Sequence, residues 1–262
     1  MADDDPARRV AELTAELDRL HKEIVVAQVV QTSLLPDAHA AVHVELAATL
    51  VPASDVGGDY YDLHEVGDTC WVAIGDVAGH GLRTAMIMVM VQSIVAAAVR
   101  AGGTPGPSEV LATVNRAVWD NIRNRLGSDE HVTCTLLRVD PDGHVLYAGA
   151  HEELVVCRAA GGPCEIVPTP GTWLGVLPEI TGKNQDRELR LAPGDRLVLF
   201  TDGVTEARAA DKRQFGMTRL LDVIDRHRGA PVAAMRDAIF EAVEQFRAGL
   251  DDDTTVVVAA FR

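Results

Sequence analysis

Acidic residues stand at the ends of apolar, strand-like runs in widely separated parts of the sequence. Glycines accompany most of these acids and would let the backbone approach a ligand closely. Clustered carboxylates repel one another unless a cation neutralises them, and a ligand set made only of oxygen suits Mg²⁺ or Mn²⁺ better than zinc. A single Asp at a strand end is usually a turn residue, so it is their recurrence that indicates a metal cluster. The positions are Asp59, Asp76, Asp202, Asp252 and Asp253.

The runs that carry these acids belong to a chain in which strands and helices come in blocks rather than in strict alternation. This order disfavours a doubly wound parallel sheet and predicts the α+β class. We expect two antiparallel sheets stacked face to face, with helices on their outer faces. The predicted strands are His43–Val51, Tyr60–Val66, Thr69–Asp76, His131–Asp140, His144–Ala150, Glu153–Arg158, Glu165–Pro168, Arg187–Leu191, Arg196–Phe200 and Thr254–Phe261, and the predicted helices are Gly81–Ala101, Ser108–Leu126 with Ser108 as N-cap, Met217–His227 and Val232–Ala248.

An N-terminal helix is predicted from Ala7 to about Gln31, and Pro36 ends the helical pattern. Two interpretations of this helix stay open: it packs on its own domain, or it forms a short coiled coil that pairs two chains. We therefore divide the chain into a helical segment, residues 1–35, and a globular domain, residues 36–262. The seam consists of apolar or small residues three and four apart, namely Val10, Leu13, Leu17, Leu20, Ile24, Ala27 and Gln31.

Composition excludes several classes of protein. The 262 residues are 47% hydrophobic and 24% charged, enough for one large core or for one domain with an appendage. A net charge of -15 disfavours binding to nucleic acid or to an anionic membrane surface. The first six residues, MADDDP, lack the basic and apolar regions of a secretory signal, so we expect a cytoplasmic protein. The apolar stretch Ala85–Val99 is shorter than the roughly 20 residues of a membrane span and predicts a buried core helix.

The cysteines are widely spaced, contain no CxxC pair and lie mostly in apolar, strand-like runs. This pattern predicts reduced, buried thiols rather than a redox or zinc site. The four are Cys70, Cys134, Cys157 and Cys164.

Four ordered blocks of the sequence closely resemble the signature motifs of the SpoIIE/RsbU-type protein phosphatases, the bacterial branch of the metal-dependent (PPM) serine/threonine phosphatases. The likeness extends from about Gln31 to Arg262, and QTSLLP at residues 31–36 is similar to a weaker landmark of the family. The resemblance implies an αββα sandwich, which agrees with the predicted elements. The blocks are PASDVGGDYYD at residues 52–62, IGDVAGHG at 74–81, FTDGVTEA at 200–207 and DDTTVVV at 252–258.

The resemblance also implies a site for two Mn²⁺ or Mg²⁺ ions. Asp76 would bridge the two ions, and the backbone carbonyl of Val77 would ligate one of them. Asp202 and Asp252 would ligate the second ion, while Asp59 would complete the shell of the first, directly or through water. Two such ions about 3.5 to 4 Å apart lower the pKa of a shared water, which attacks the phosphoryl group without a side-chain nucleophile.

Other residues near these motifs have less defined roles. The resemblance makes Asp253 a neighbour of the first ion's shell. His80 is a candidate proton donor to the leaving serine oxygen, and the alternative is an ordinary residue of a loop or helix start. His151 and Glu152 stand where relatives often carry an asparagine- and proline-rich turn. This departure either alters the docking of the substrate or marks a polar hairpin.

The predicted function is that of a metal-dependent phosphoserine and phosphothreonine protein phosphatase. The resemblance implies a substrate that is a small phosphorylated anti-sigma-factor antagonist of the STAS type, in a partner-switching signalling pathway. No arginine occurs between Arg19 and Arg83, where larger relatives hold phosphate with one, so phosphate affinity should rest on the metals. Two alternatives stay open: a catalytically inactive pseudophosphatase that binds a phosphoprotein as a scaffold, and hydrolysis of a small phosphoester or nucleotide.

Overall fold

Two five-stranded antiparallel sheets face each other in the computed structural model, which describes residues 6–36 and 41–262. The first five residues, on which the prediction about a secretory signal mainly rests, lie outside the described residues. The strands are β1 (Val44–Val51), β2 (Asp59–Val66), β3 (Thr69–Val77), β4 (Val132–Val139), β5 (His144–Ala150), β6 (Leu154–Cys157), β7 (Glu165–Val167), β8 (Arg187–Arg190), β9 (Arg196–Phe200) and β10 (Thr254–Phe261). The helices are α1 (Pro6–Leu34), α2 (Leu82–Arg100), α3 (Pro107–Trp119), α4 (Asp202–Thr205), α5 (Gly216–Arg226) and α6 (Val232–Phe246).

The strand order places the acid-bearing strands next to one another. The first sheet runs β1-β10-β9-β6-β7, and the second runs β2-β3-β4-β5-β8. Every pair of neighbours is antiparallel. The predicted sandwich of two antiparallel sheets with flanking helices and an N-terminal helix is confirmed.

Apolar side chains fill three layers: the space between the sheets, the space under α2 and α3, and the space under α5 and α6. Alternation along the strands sends one set of side chains to the inter-sheet layer and the other to the helices. All eight residues of β10 are buried because both faces of this strand are covered. The sheets therefore form a packed frame, and the acids lie within or next to the ends of its strands.

Helix α2 contains the predicted core helix. Its length and composition would suffice to cross a membrane, as for many core helices of globular proteins. Its buried residues recur at helical spacing and belong to the layer against the second sheet, which confirms the prediction of a core helix. These residues include Ile87, Met88, Val91, Val95 and Val99.

Helix α1 leaves most of its apolar side chains in solvent. Val10 is 63% exposed and Leu17 is 66% exposed. Only the last turns contact the domain, where the Gln31 side chain is buried and the Leu34 carbonyl accepts a hydrogen bond from Gln92 at 2.7 Å. The packed alternative for this helix thus holds at its C-terminal end alone. The division of the chain near residue 35 stays a prediction.

The start and the end of α3 differ from the prediction. Gly106 is the N-cap rather than Ser108, and Pro107 occupies the first helical position, where its missing N–H costs nothing. The backbone N–H of Ser108 instead donates to Asp186 at 2.7 Å. The predicted continuous helix also changes character, because residues Asp120–Arg125 form a π-helix.

Two of the four cysteines are paired, which corrects the prediction of four reduced thiols. Cys157 and Cys164 form a disulfide with their Cα atoms 4.4 Å apart. The register of β6 with β7 pairs Val156 with Glu165, so the hairpin brings the next two residues, both cysteines, opposite each other. Cys70 and Cys134 are free and buried, as predicted.

Candidate metal centre

The acid-bearing strand ends meet at one edge of the sandwich. Asp59 begins β2 and pairs in register with Asp76 near the end of β3. In the other sheet β9 and β10 are antiparallel neighbours, so Asp202 after β9 and Asp252 before β10 lie at the same edge. The convergence expected from the sequence is therefore present in the fold.

Asp59 joins the two sheets at this edge. Its side chain is only 1% exposed, and its Oδ2 accepts hydrogen bonds from the hydroxyls of Thr201 at 2.8 Å and Thr255 at 2.6 Å. Burial, followed by repulsion from Asp76, raises the pKa of Asp59 well above its ordinary value, although the Thr255 hydroxyl opposes this shift. Thr201 and Thr255 were not identified from the sequence, where their only signal is that each lies close to an acidic motif residue.

The other acids share one electrostatic field. Burial raises the pKa of Asp76 to about 7, and repulsion from Asp202, Asp252 and Asp253 adds to the shift. Burial and then Asp252 raise the pKa of Asp202. The pKa of Asp252 is raised as well. Its carboxylate is partly desolvated by its neighbours, although the residue as a whole is exposed to solvent. Each carboxylate thus makes its neighbours harder to ionise, as expected of anions gathered without a counter-charge.

The carboxylates come together without a complete coordination shell. Among residues 6–36 and 41–262, no three His, Cys, Asp or Glu side chains are arranged closely enough to hold a metal ion. The chemistry of the donor set still fits Mg²⁺ or Mn²⁺, since it consists of carboxylates and a backbone carbonyl whose mutual repulsion a divalent cation would relieve. The edge is an acidic site that needs local adjustment, or additional ligands, to hold a metal.

Gly58 allows the chain to pass close to two of the predicted ligands. A Cβ atom at this position would lie 2.7 Å from the carbonyl oxygen of Val77 and 3.0 Å from Oδ1 of Asp76. Real side chains do not tolerate such distances, so a residue without a Cβ is required here. The Val77 carbonyl and the Asp76 carboxylate therefore face the same small space.

Asp253 uses its carboxylate to hold the loop that precedes β2. Its Oδ1 accepts a hydrogen bond from the backbone N–H of Ala53 at 2.7 Å, and its Oδ2 accepts one from Gly58 at 2.5 Å. The same carboxylate occupies the space that a side chain at Gly57 would need. In this structure the carboxylate of Asp253 therefore holds the loop that positions Asp59, and it is not free to serve as a metal ligand. His80 is exposed in the loop between β3 and α2, close enough to Asp252 to oppose in part the rise that burial causes in the pKa of that carboxyl.

A cavity of about 320 Å³ opens directly beside Asp76 and Asp202. Burial, followed by repulsion from Asp202, raises the pKa of Glu152 in its wall to about 6. Trp173, another wall residue, is 46% exposed and stacks on His131 with ring centroids 4.8 Å apart. The sequence analysis singled out Asp76, His151, Glu152 and Asp202 but missed the other wall residues. The wall consists of Asp76, Thr133, Ala150, His151, Glu152, Thr169, Pro170, Gly171, Trp173 and Asp202.

Sequence comparison relates the chain to known phosphatases. The family described as Stage II sporulation protein E (SpoIIE) matches residues 67–262, about three quarters of the chain. Phosphoserine phosphatase RsbU of Bacillus subtilis is 29% identical over 248 residues, which cover 91% of this chain and 70% of RsbU.

Several solved structures share the fold of this chain. The SiaA-PP2C domain of Pseudomonas aeruginosa has a TM-score of 0.81 and 23% identity over 95% of this chain and 99% of its own. The RsbU and RsbW domains of Rv1364c from Mycobacterium tuberculosis give a TM-score of 0.71 and 23% identity, over 84% of this chain and 60% of theirs. RsbX in complex with magnesium gives 0.62 and 12%, over 86% of this chain and 99% of RsbX. At these identities the structures bear on the fold alone.

The family match extends across three of the four motif blocks, and the acids of all four blocks meet at one edge of a PP2C-type sandwich. The predictions of the family, of its fold and of a phosphatase are thereby confirmed. The chain belongs to the SpoIIE family of phosphatases.

Proposed function

We propose that the chain hydrolyses phosphoserine or phosphothreonine in proteins and requires divalent cations to do so. The observation that carries this proposal is the meeting of Asp59, Asp76, Asp202 and Asp252 at one edge of the sandwich. These residues come from distant parts of the chain and repel one another in the folded state. An arrangement that costs free energy in the absence of a cation is typical of a functional site.

The positions of the acids support the division of roles implied by the resemblance. Asp76 is coupled electrostatically both to Asp59 in its own sheet and to Asp202 and Asp252 in the other, as a bridging ligand should be. Asp59 and the carbonyl of Val77 would hold an ion on the β2–β3 side, and Asp202 and Asp252 would hold one on the β9–β10 side. When bound, Mn²⁺ or Mg²⁺ would supply an activated water and positive charge opposite the phosphoryl oxygens.

The surrounding residues orient the acids and receive the substrate. Thr201 and Thr255 fix the rotamer of Asp59 through its Oδ2, and Asp253 holds the loop from which Asp59 emerges. The cavity beside Asp76 would receive the residues that flank the phosphoserine. His80, exposed in its loop, is the candidate for giving a proton to the leaving serine oxygen.

We infer that the substrate is a phosphorylated anti-sigma-factor antagonist of the STAS type, in a cytoplasmic partner-switching pathway. Support comes from the likeness to the phosphoserine phosphatase RsbU and from the occurrence of RsbU and RsbW domains together in Rv1364c. The test compares an intact phosphorylated antagonist with a phosphoserine peptide of the same local sequence and with ATP. Faster hydrolysis of the intact protein is expected, and a preference for ATP would contradict the inference.

A phosphate-release assay on a phosphoserine peptide, with and without Mn²⁺, tests the activity itself. Asp202→Ala should lower kcat/KM on the order of 100-fold or more, because it removes a charged ligand of the site. Asp211→Ala is the matched control, since Asp211 is exposed and pairs with its sequence neighbour Arg213. Metal-independent turnover by the unaltered protein would contradict the proposal. No turnover in a folded protein that still binds the phosphoprotein would favour the scaffold alternative.

We also propose that a second copy of this chain covers the exposed apolar side of α1. The seam residues Val10, Leu13, Leu17 and Leu20 are all more than 40% exposed. Such a row at heptad spacing is stabilised when it packs against the same row of another helix. Because Gln31 at the end of the seam donates to the Gly57 carbonyl at 2.6 Å, this contact would place a dimer close to the acidic edge.

A further inference from the structure

His151 makes a connection between the two sheets that the proposed chemistry does not yet use. It is the first residue after β5, in the segment that crosses from the second sheet to β6 of the first. Its Nε2 lies 3.1 Å from the carbonyl oxygen of Phe200, and its Nδ1 lies 2.8 Å from the hydroxyl of Thr133. One imidazole ring thus contacts the last residue of β9 and the second residue of β4.

Both contacts lie next to predicted metal ligands. Thr133 pairs in register with Asp76, and its hydroxyl is 3.3 Å from the backbone carbonyl of Asp76. Phe200 is two residues before Asp202 in the sequence. The ring also forms part of the cavity wall between Asp76 and Asp202. A shift of His151 would therefore change the separation of these two acids.

The backbone of His151 is held as firmly as its ring. Its N–H donates to Oγ1 of Thr169 at 3.2 Å, and its carbonyl accepts from the same hydroxyl at 2.5 Å. These bonds fix the point from which the side chain emerges, and the ring cannot then turn away without losing its contacts to Thr133 and Phe200. A side chain that is fixed both at its backbone and at its ring keeps the groups that it contacts at a constant separation.

The hydrogen bonds define the tautomer. A carbonyl oxygen can only accept, so Nε2 carries a hydrogen and donates to Phe200. Nδ1 is then the acceptor for the Thr133 hydroxyl, whose single hydrogen favours the nitrogen at 2.8 Å over the Asp76 carbonyl at 3.3 Å. Burial lowers the pKa of His151 to about 4, so the neutral ring that this pattern needs is present at pH 7.

We propose that His151 is a positioning residue that ties β4 to β9 and thereby sets the distance between Asp76 and Asp202. The proposal rests on the proposed function only in that these two acids bind a divalent cation. Side chains that orient the ligands of a metal change its affinity without touching it, usually on the order of 10- to 100-fold. His151 should therefore act on the affinity for the cation, and through it on kcat.

The experiment measures Mn²⁺ binding by isothermal titration calorimetry and kinetics on a phosphoserine peptide at pH 7.5. In His151→Gln the amide can replace Nε2 at Phe200, and in His151→Asn it can replace Nδ1 at Thr133, so each variant keeps one of the two contacts. Both should raise the Kd for Mn²⁺ by roughly tenfold or more. His144→Gln is the matched control, since His144 begins the same strand β5 but contacts Asp140 and Glu188. It should leave the Kd unchanged.

A second variant separates positioning from a general loss of stability. Thr133→Val removes the hydroxyl that bonds His151 at 2.8 Å and lies 3.3 Å from the Asp76 carbonyl. It should also raise the Kd for Mn²⁺, and its effect should be smaller in the His151→Gln background than in the unaltered protein. This cycle also decides the matter if a His151 variant fails to fold, because Thr133→Val alone should raise the Kd. A Kd within twofold of the unaltered protein in every folded His151 and Thr133 variant would overturn the proposal.

The outcomes distinguish this proposal from the proposed function. If the protein binds Mn²⁺ and shows the expected shifts in Kd but hydrolyses no phosphopeptide, the proposed function is wrong and the role of His151 is confirmed. If the protein is a metal-dependent phosphatase and its variants bind Mn²⁺ normally, only the proposed role of His151 is wrong. Absence of Mn²⁺ binding by the unaltered protein would overturn both.

Discussion

Replacement of Gly58 by alanine tests whether the close approach of the β2 loop to the acidic edge matters. The added methyl group would lie 2.7 Å from the Val77 carbonyl oxygen, 2.8 Å from Cγ2 of Thr84 and 3.0 Å from Oδ1 of Asp76. Gly58 is not among the glycines with positive φ, so its backbone conformation is open to alanine. The effect of the substitution should therefore be steric alone.

The expected magnitude follows from these distances. Ordinary contacts of a Cβ atom begin near 3.4 Å, so three neighbours must move by a few tenths of an ångström each. The Val77 carbonyl cannot yield easily, because the N–H of the same residue is bonded to the Gly58 carbonyl at 3.2 Å. Overpacking of this kind costs about 1 to 3 kcal/mol of unfolding free energy. For a chain of this size each kcal/mol lowers the Tm by roughly 2 to 4 °C.

The substitution should also lower the activity. Displacement of the Asp76 carboxylate and the Val77 carbonyl should lower kcat/KM at fixed Mn²⁺ by roughly 10- to 100-fold, because misplacement by a fraction of an ångström to 1 Å is costly in a preorganised site. Thermal unfolding and Mn²⁺-dependent phosphate release measure the two effects. Gly229→Ala is the control, since it has no positive φ and no neighbour within 4 Å. A Gly58→Ala protein with unchanged Tm and unchanged Mn²⁺ dependence would refute the reasoning.

Two further predictions concern the N-terminal helix and the buried histidine. Leu17→Lys should convert a dimer to a monomer in light scattering, while Ala15→Lys, with the same change of charge off the seam, should leave the dimer intact; a monomeric unaltered protein would contradict this. His151 has a folded-state pKa of about 4 against an ordinary 6.5, so the unfolded chain binds more protons between these values and stability falls as the pH falls from 6.5 to 4. Urea unfolding at pH 7 and pH 4.5 measures this loss of unfolding free energy. The loss should be smaller in His151→Gln than in the unaltered protein, by at most about 3 kcal/mol, and an equal loss in the two proteins would contradict a neutral buried ring.

Local patterns were sufficient to predict most elements and the identity of the acids. Alternating and helical periodicities depend on nearby residues, and so they predicted the ten strands and the buried helix α2 to within a few residues. They failed where a distant partner decides the local structure. Asp186 takes the N–H of Ser108 at the start of α3, and the β6–β7 register pairs Cys157 with Cys164.

The α+β class, the family and the set of carboxylates could be predicted without coordinates, because they depend on residue types and on their order along the chain. The contacts of each acid became known from the fold alone. Asp59 bonds to hydroxyls 142 and 196 residues away, Asp253 bonds to a loop 195 residues away, and His151 joins strands of opposite sheets. Such contacts depend on the distance and angle at which the two sheets stack. Neither quantity can be derived from the spacing of residues along the chain.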